Sequence, residues 1–423
     1  MCVDKPTVST PSRNTERLSW QVLCLAAFIA AAAVIARRPD VLLNAQFYAE
    51  DGAVWYADAY NLGWIHALGI TAGGYLNSLQ RLVAAFSLLF PLRYAPLVMN
   101  VFGILIQALP AFFLLTRRCS NWWPLRVRVL QAAIYIAIPN SSEIHVVLTN
   151  APFHFALLTF LVAVAAPPSN LRWKIFDVVV LAIGALSGPF CIVLLPLVLV
   201  FWWLRREHWS LVIAAILAPL VAAQGAELLS SGYASRAPGE LGATPMMFLR
   251  LLTGHVYVGA IHGRNAFAIH GRPEAVFIVT LLGTAVLAYC LLRSSIELRL
   301  FILFSMILFA ASLSKPLVAG PHPQWQLLAL DRGARYWFFP TLALLWSVLW
   351  CATQRNSKPF RVFGLVALVA MLNGVVRDWR YNPYTDEHFQ EHVKRFDSAP
   401  VGAVVQIPIF PDGTVVQLKK KSF

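Results

Sequence analysis

Two adjacent carboxylates, Glu50 and Asp51, lie in the stretch 46–81, which follows the first apolar segment and is rich in aromatic residues. A carboxylate can act as a general base by accepting the proton of an incoming hydroxyl group. Asp51, Trp55 and Asp58 are spaced i, i+4 and i+7, so a helix would place them on one face. We therefore predict a helix along the membrane surface, with its Trp and Tyr side chains at headgroup depth and a catalytic carboxylate at its start.

The two carboxylates need not share one role. Asp51 stands where a helical pattern begins, so it could cap the N-terminus of that helix, which would leave catalysis to Glu50. Neighbouring helical positions diverge by about 100°, and different roles are therefore expected. The shorter side chain of Asp51 is the better fixed of the two, which favours Asp51 as the base.

Arginines close to a late apolar run are candidates for binding a phosphate. Arg332 and Arg335 precede Tyr336, on a side of the membrane where topology gives no reason for arginine. Guanidinium groups bind phosphate in a bidentate manner. We expect these three residues to contact a phosphate-bearing substrate, and neutralisation by Asp331 is the alternative.

Further polar residues are candidates for substrate contacts. His262 and Arg264 belong to an H-G-R sequence that recurs eight residues later, and such basic loops could hold a phosphate or anionic headgroups. The remaining candidates and their alternatives are Asn150 (helix capping), His154 (packing), Arg81 (anchoring the short run 79–90) and Tyr48, beside the carboxylates.

The composition excludes a soluble globular protein. Apolar residues make up 58% of the chain, charged residues 13%, and the mean hydropathy is +0.64, which is typical of an all-α polytopic membrane protein. The net charge of +14 is scattered in short groups between apolar segments, so we predict no nucleic-acid partner. The predicted spans are 18–36, 94–116, 127–140, 151–167, 175–188, 190–204, 209–226, 275–292, 299–313, 336–352 and 361–376.

That count makes about eleven transmembrane helices, with one more possible at 79–90. Several of these runs are shorter than the roughly 20 residues of a full crossing, so they either extend further or are half-embedded. With the N-terminal tail 1–17 inside, basic residues concentrate in the cytoplasmic loops and acidic residues outside. This asymmetry predicts an N-in/C-out topology.

The predicted outer segments are the loops 37–93, 227–274 and 314–335 of the membrane domain 18–376, and the C-terminal region 377–423. The last segment contains GAVVQIPIF and TVVQLKKK on either side of a P-D-G turn, which predicts a hairpin. A polar, helix-like sequence precedes it. We therefore predict a small extracytoplasmic α+β cap at 377–423.

These features resemble the GT-C superfamily of polytopic membrane glycosyltransferases. The resemblance rests on an acidic pair after the first span (YAEDG), short spans with turns such as NAPFHF and SGPF, an R-Y-x-F-x-P segment before a late span, and the C-terminal cap. It implies a polyprenyl-phosphate-linked sugar donor, and a carboxylate at Glu50 or Asp51 that acts as base or orients the acceptor. A divalent metal is possible in such enzymes, and no other cofactor is expected.

The expected function is transfer of a sugar to an envelope glycan or lipid-linked acceptor on the periplasmic face of a bacterial inner membrane, in contact with membrane lipids. Phosphate is already a good leaving group, so a second catalytic acid of the glycosidase type is unnecessary. A transporter or flippase, a polysaccharide polymerase or ligase, and a non-catalytic partner in envelope polysaccharide assembly are the alternatives. A transporter should bury charge at mid-membrane, whereas charge here concentrates on one face.

Overall fold

The computed structural model describes residues 18–230, 239–318, 320–330, 332–354 and 357–422. In chain order, the α-helices of these residues are α1 (Trp20–Arg37), α2 (Asp40–Leu43), α3 (Ala57–Leu62), α4 (Trp64–Leu68), α5 (Ser78–Ser87), α6 (Ala95–Leu115), α7 (Leu125–Ile136), α8 (Ala151–Val164), α9 (Leu171–Ala185), α10 (Phe190–Arg205), α11 (His208–Ser230), α12 (Pro245–Leu251), α13 (Gly259–His262), α14 (Phe267–His270), α15 (Pro273–Arg293), α16 (Ile296–Ser314), α17 (Gln324–Ala329), α18 (Phe338–Ala352), α19 (Lys358–Arg377) and α20 (Phe389–Ser398). The π-helices are Asp51–Tyr56 and Leu252–Val258, the 3₁₀-helices are Leu92–Tyr94, Arg117–Cys119, Ser142–Ile144 and Ala334–Trp337, and the strands are β1 (Val404–Ile409) and β2 (Thr414–Lys419).

Six helical segments of the described chain are long and apolar enough to cross a bilayer: α1, Leu92–Leu115, α11, α15, α16 and α19. The chain is therefore a multi-pass helical membrane protein. A helix lies at each of the eleven positions predicted from the sequence. However, α7, α8, α9, α10 and α18 have only 12, 14, 15, 16 and 15 residues, so the predicted count of eleven spans is not supported.

Burial explains why two of the short helices have such apolar sequences. In α8 and in α18, nearly every residue is buried against other helices. A helix that is apolar on all sides lies either in lipid or in the middle of a protein, and hydropathy alone does not separate the two cases. The run 79–90 has a similar outcome, since α5 has only 10 residues.

Two arginines at the end of α1 attach the C-terminal region to the membrane domain. Arg37 is fully buried, donates to the carbonyls of Ile136 (2.7 Å), Ile138 (3.0 Å) and Asp378 (3.1 Å), and also bonds the Tyr381 hydroxyl. Arg38 donates to the Tyr384 hydroxyl at 2.5 Å and lies over its ring. The ends of α1, α7 and α19 are thus joined at one end of the helical bundle.

The predicted hairpin is confirmed. Strands β1 and β2 pair antiparallel, with Val404 opposite Lys419 and Ile409 opposite Thr414. Helix α20 precedes them, and its Phe389 contacts Phe47 with ring centroids 5.4 Å apart. Asn61 bonds β2 through the Gln417 carbonyl and the Lys419 amide, so this small α+β unit covers the segment 47–62.

Contrary to the prediction, the aromatic helix does not lie on the membrane surface, because the α+β unit packs over it. Trp55, Tyr56 and Tyr60 are all buried inside the protein, and Trp64 is exposed. The segment is helical, as predicted, but it begins as a π-helix and continues as α3. Amphipathic sequence patterns identify a face that avoids water, and here protein covers that face rather than lipid headgroups.

Gly52 provides a test of how closely the C-terminal unit packs on the π-helix. A Cβ atom at this position would lie 2.6 Å from Val416 Cγ2 and 2.7 Å from Phe47 Cβ. Gly52→Ala should therefore lower the free energy of unfolding by about 1–3 kcal/mol through overpacking. The matched control is Gly225→Ala in α11, where no described atom outside the neighbouring backbone of the helix lies within 4 Å of the new Cβ. Equal thermal unfolding midpoints for both variants in detergent would contradict this packing.

Candidate active site

Asp51 is built into the protein interior. It is 1% exposed, its Oδ1 accepts hydrogen bonds from the Thr149 amide (2.7 Å) and hydroxyl (2.6 Å), and its Oδ2 accepts from the Leu148 amide (3.1 Å). The Thr149 hydroxyl in turn accepts from Trp55 Nε1 at 2.9 Å. Asp51 and Trp55 therefore do face the same way, as their spacing predicts. The carboxylate fastens the loop before α8 and does not cap its own helix.

The environment of Asp51 changes how readily it ionises. Burial raises the pKa of Asp51 to about 7, although the bonds from Thr149 and Leu148 work in the opposite direction. Burial disfavours the charged form, whereas donors aimed at the oxygens favour it. The carboxyl group therefore titrates near neutral pH in the folded protein.

This raised pKa predicts a pH-dependent stability. The folded state binds the Asp51 proton more tightly than the unfolded state, in which the pKa is about 3.8. The contribution of this group is thus fully present below pH 4 and is lost as the pH rises to about 7, by at most about 4 kcal/mol. Unfolding of wild type and Asp51→Asn should be compared between pH 4 and pH 8. The variant should show a flatter profile, and identical slopes would contradict the prediction.

Glu50 is the accessible member of the pair. Its side chain is exposed, while the neighbouring carboxylate is enclosed by Thr149 and Leu148. The two residues do not fit a shared divalent ion, because both Asp51 oxygens are buried and already accept hydrogen bonds. In the described part of the chain, no three His, Cys, Asp or Glu side chains cluster as ligands would.

Tyr48 lies beside the two carboxylates in sequence and within the electrostatic reach of Arg335. Burial raises the pKa of the Tyr48 hydroxyl, and the charges of Glu143, Arg335 and Glu50 also act on it. Its ring packs on Tyr384, with centroids 5.3 Å apart. Tyr48 therefore contacts the C-terminal region through Tyr384 and lies close enough to Glu143 and Arg335 for their charges to act on its hydroxyl.

Arg335 is held by Glu143. Its guanidinium bonds Glu143 Oε1, and its backbone amide donates to Oε2 at 3.1 Å. Its Nη2 also donates to the Leu317 carbonyl at 2.6 Å. Glu143 is one of the acidic residues that the predicted topology places outside, and nothing else in the sequence pairs it with Arg335.

Tyr336 follows Arg335 directly in the chain, and Arg332 precedes it by three residues. The buried Tyr336 hydroxyl accepts from the Leu317 amide at 2.7 Å and from Arg335 at 3.2 Å, which fixes the arginine. Arg332 is exposed. Asp331, the alternative partner proposed from the sequence, lies outside the described residues.

Asn150 and His154 both bond the backbone of the segment that carries Glu143. The Asn150 amide donates to the Glu143 carbonyl at 2.9 Å and makes no side-chain bond to α8, so it does not act as the helix cap. His154 is buried, with its ring nitrogens 2.9 Å from the Tyr135 hydroxyl and 2.9 Å from the Ile144 carbonyl. Both of its nitrogens are thus occupied within the protein.

Arg81 lies behind Trp55 and is 1% exposed. Its Nη1 bonds Asp58 at 3.1 Å, and its guanidinium carbon lies 5.1 Å from the Trp55 ring centroid. Its Nε and Nη2 atoms are buried without a hydrogen-bond partner among the described residues. The cation therefore supports the π-helix through Trp55 and the start of α3 through Asp58.

His262 and Arg264 belong to a different neighbourhood. The Arg264 backbone amide donates to Asp378 at 3.0 Å. His262 lines a cleft of about 520 Å³ together with residues of α14, α15 and α19. In the described structure, these two residues thus contact the end of α19, whereas Arg335 contacts Glu143.

No protein-family model matches this sequence, and no curated protein sequence matches it. In structure, the chain is similar to the mycobacterial arabinofuranosyltransferase AftD solved by single-particle cryo-EM, with a TM-score of 0.45 and 13% sequence identity. The match covers 96% of this chain and 32% of AftD. The chain thus spans about a third of the length of that protein.

Proposed function

We propose that this protein is a membrane glycosyltransferase that moves a sugar from a polyprenyl-phosphate donor to an envelope glycan or lipid-linked acceptor. The observation that carries the proposal is that an exposed carboxylate, Glu50, and the Arg335–Glu143 ion pair both lie close enough to the Tyr48 hydroxyl for their charges to act on it. A base and a phosphate-binding cation are the two groups that transfer from a phosphate leaving group requires. These groups come from separate loops, and Tyr48 also packs against Tyr384 of the C-terminal region.

In the proposed reaction, the Glu50 carboxylate accepts the proton of the acceptor hydroxyl. The acceptor oxygen forms a bond to the anomeric carbon, and the bond between that carbon and the phosphate oxygen breaks. The phosphate leaves with the bonding electrons, and Arg335 stabilises its charge, with Arg332 as a further proposed contact; Arg264, expected from the sequence to share this role, lies against Asp378 instead. Asp51 has a positioning role here, because it holds the loop 148–149 and the π-helix together.

We further propose that this site faces the periplasm of a bacterial inner membrane. The proposal is supported by the charge asymmetry of the sequence, which predicts that the Arg37 end of α1 is periplasmic. Arg37 bonds the ends of α7 and α19 at that same end of the bundle, where the C-terminal unit lies. A reporter enzyme fused after Phe423 should be active only when exported. The control is the same reporter fused after Arg293, at the predicted cytoplasmic end of α15. Activity of the Phe423 fusion in the cytoplasm alone would contradict the orientation.

The function itself is tested by mass spectrometry of envelope glycans and lipid-linked sugars, with and without the gene. Loss of one sugar residue, restored by the wild-type gene but not by Glu50→Gln, is the expected result. Restoration by Glu50→Gln would favour the non-catalytic assembly partner. Accumulation of an unmodified lipid-linked sugar on the cytoplasmic leaflet, with transfer intact, would favour the flippase.

A further inference from the structure

A cleft separate from the Glu50 site opens between the outer ends of two apolar helices. It has a volume of about 520 Å³, and its lining includes His262, His270, Arg272 and Arg377. None of its lining residues belongs to the group formed by Glu50, Tyr48, Glu143 and Arg335. Any ligand of this cleft would therefore bind separately from the Glu50 site.

The charge of the cleft is basic. Arg272 directly precedes α15, Arg377 is the last residue of α19, and both are exposed. Within the described residues, neither arginine forms an ion pair. The acid next to Arg377, Asp378, accepts from the backbone amides of Asn140 (2.7 Å) and Arg264 (3.0 Å). The acid nearest in sequence to Arg272, Glu274, is exposed in the first turn of α15 and does not line the cleft. The lining includes no acidic residue.

The apolar surroundings indicate what kind of anion would fit. Val258, Phe267 and Ala275 contribute the apolar part of the lining. Below the cleft, α15 exposes Leu281 (72%) and Phe277 (54%), and α19 exposes Val376 (75%). Both helices are long and apolar enough to span the membrane, so these side chains face acyl chains. A ligand here would combine a negative head with apolar tails.

We propose that this cleft binds an anionic phospholipid of the surrounding bilayer, with its phosphate between Arg272 and Arg377 and its acyl chains along α15 and α19. Arginine at the ends of spans meets phosphate at headgroup depth, where each basic residue contributes to the attraction of anionic lipid. An inorganic phosphate would leave the apolar lining unused. The site does not depend on the glycosyltransferase proposal, since lipid binding is measured without turnover.

The test measures lipid binding to the purified 423-residue chain in neutral detergent by native mass spectrometry, with phosphatidylglycerol and phosphatidylcholine as probes. Wild type should retain phosphatidylglycerol in preference to phosphatidylcholine. Arg272→Gln/Arg377→Gln should weaken phosphatidylglycerol binding by about 30-fold, which corresponds to about 1 kcal/mol per basic residue. The control is Arg380→Gln, which removes an exposed arginine three residues beyond Arg377 that does not line the cleft.

Two further probes distinguish the source of the phosphate. Neither inorganic phosphate nor polyprenyl phosphate should displace phosphatidylglycerol at equal concentration. Displacement by polyprenyl phosphate would assign the cleft to the carrier lipid and overturn the proposal, and so would equal binding to wild type and the double variant. If the double variant does not fold, the wild-type preference for phosphatidylglycerol over phosphatidylcholine decides, and its absence overturns the proposal.

Discussion

Glu50→Gln is expected to lower the rate of sugar transfer by about 10²–10⁴-fold, which is the usual contribution of a general base. The substitution keeps the size of the side chain and removes its ability to accept a proton. Because Glu50 is exposed and makes no side-chain hydrogen bond to another described residue, folding and membrane insertion should be unaffected. The measurement is transfer activity in membranes at matched protein levels.

Asp51→Asn is the informative comparison, because its expected effect is on stability. An asparagine amide presents one acceptor oxygen to a site where three donors point at two oxygens, so at least one buried donor loses its partner. The cost is on the order of 1–3 kcal/mol. Activity per folded molecule should fall much less than in Glu50→Gln. The opposite order of effects would make Asp51 the base, as its better-fixed side chain suggested from the sequence.

The sequence predicts the elements of this fold better than their surroundings. Hydropathy locates eleven helices, and alternation around Pro411, Asp412 and Gly413 locates the hairpin, because both patterns depend on the local chain. Whether an apolar helix meets lipid or protein depends on its neighbours. The sequence for that reason predicts spans at the largely apolar α8 and α18, although both helices are buried among other helices.

The site shows the same division between local and distant information. The carboxylate pair and Arg335 could be selected as candidates from residue type and loop position. The separation of Glu50 from Asp51 could not, since the residues that enclose Asp51 lie almost a hundred positions away, at Leu148 and Thr149. The pairing of Glu143 with Arg335 could not be predicted for the same reason, because only the fold brings the two residues together.

Some arginines on the predicted outer side have structural roles. Arg37 and Arg38 lie on the outer side of the predicted topology, where arginine is not needed for orientation. Both are buried and bind the C-terminal region through Tyr381 and Tyr384. An arginine outside the membrane is thus no proof of a phosphate site, and each proposed phosphate contact needs a direct binding measurement.

Arg335→Ala is expected to weaken binding of polyprenyl phosphate, the leaving group of the proposed reaction, by about 2–5 kcal/mol, because it removes a largely buried charge-assisted contact. Arg335 is 19% exposed and is oriented by Tyr336 and Leu317. Arg332→Ala and Arg264→Ala remove exposed guanidinium groups, so each should cost no more than about 1 kcal/mol. Titration of purified variants with polyprenyl phosphate measures all three.

Glu143→Gln is the matched control, since it removes the charge that neutralises Arg335 and keeps an oxygen for the Arg335 backbone amide. A phosphate has to compete with Glu143 for the guanidinium. Affinity for polyprenyl phosphate should therefore be equal or higher in Glu143→Gln, in contrast to the loss in Arg335→Ala. If Arg335→Ala folds and binds as wild type does, the ion pair has a structural role only, and the donor phosphate must be held elsewhere.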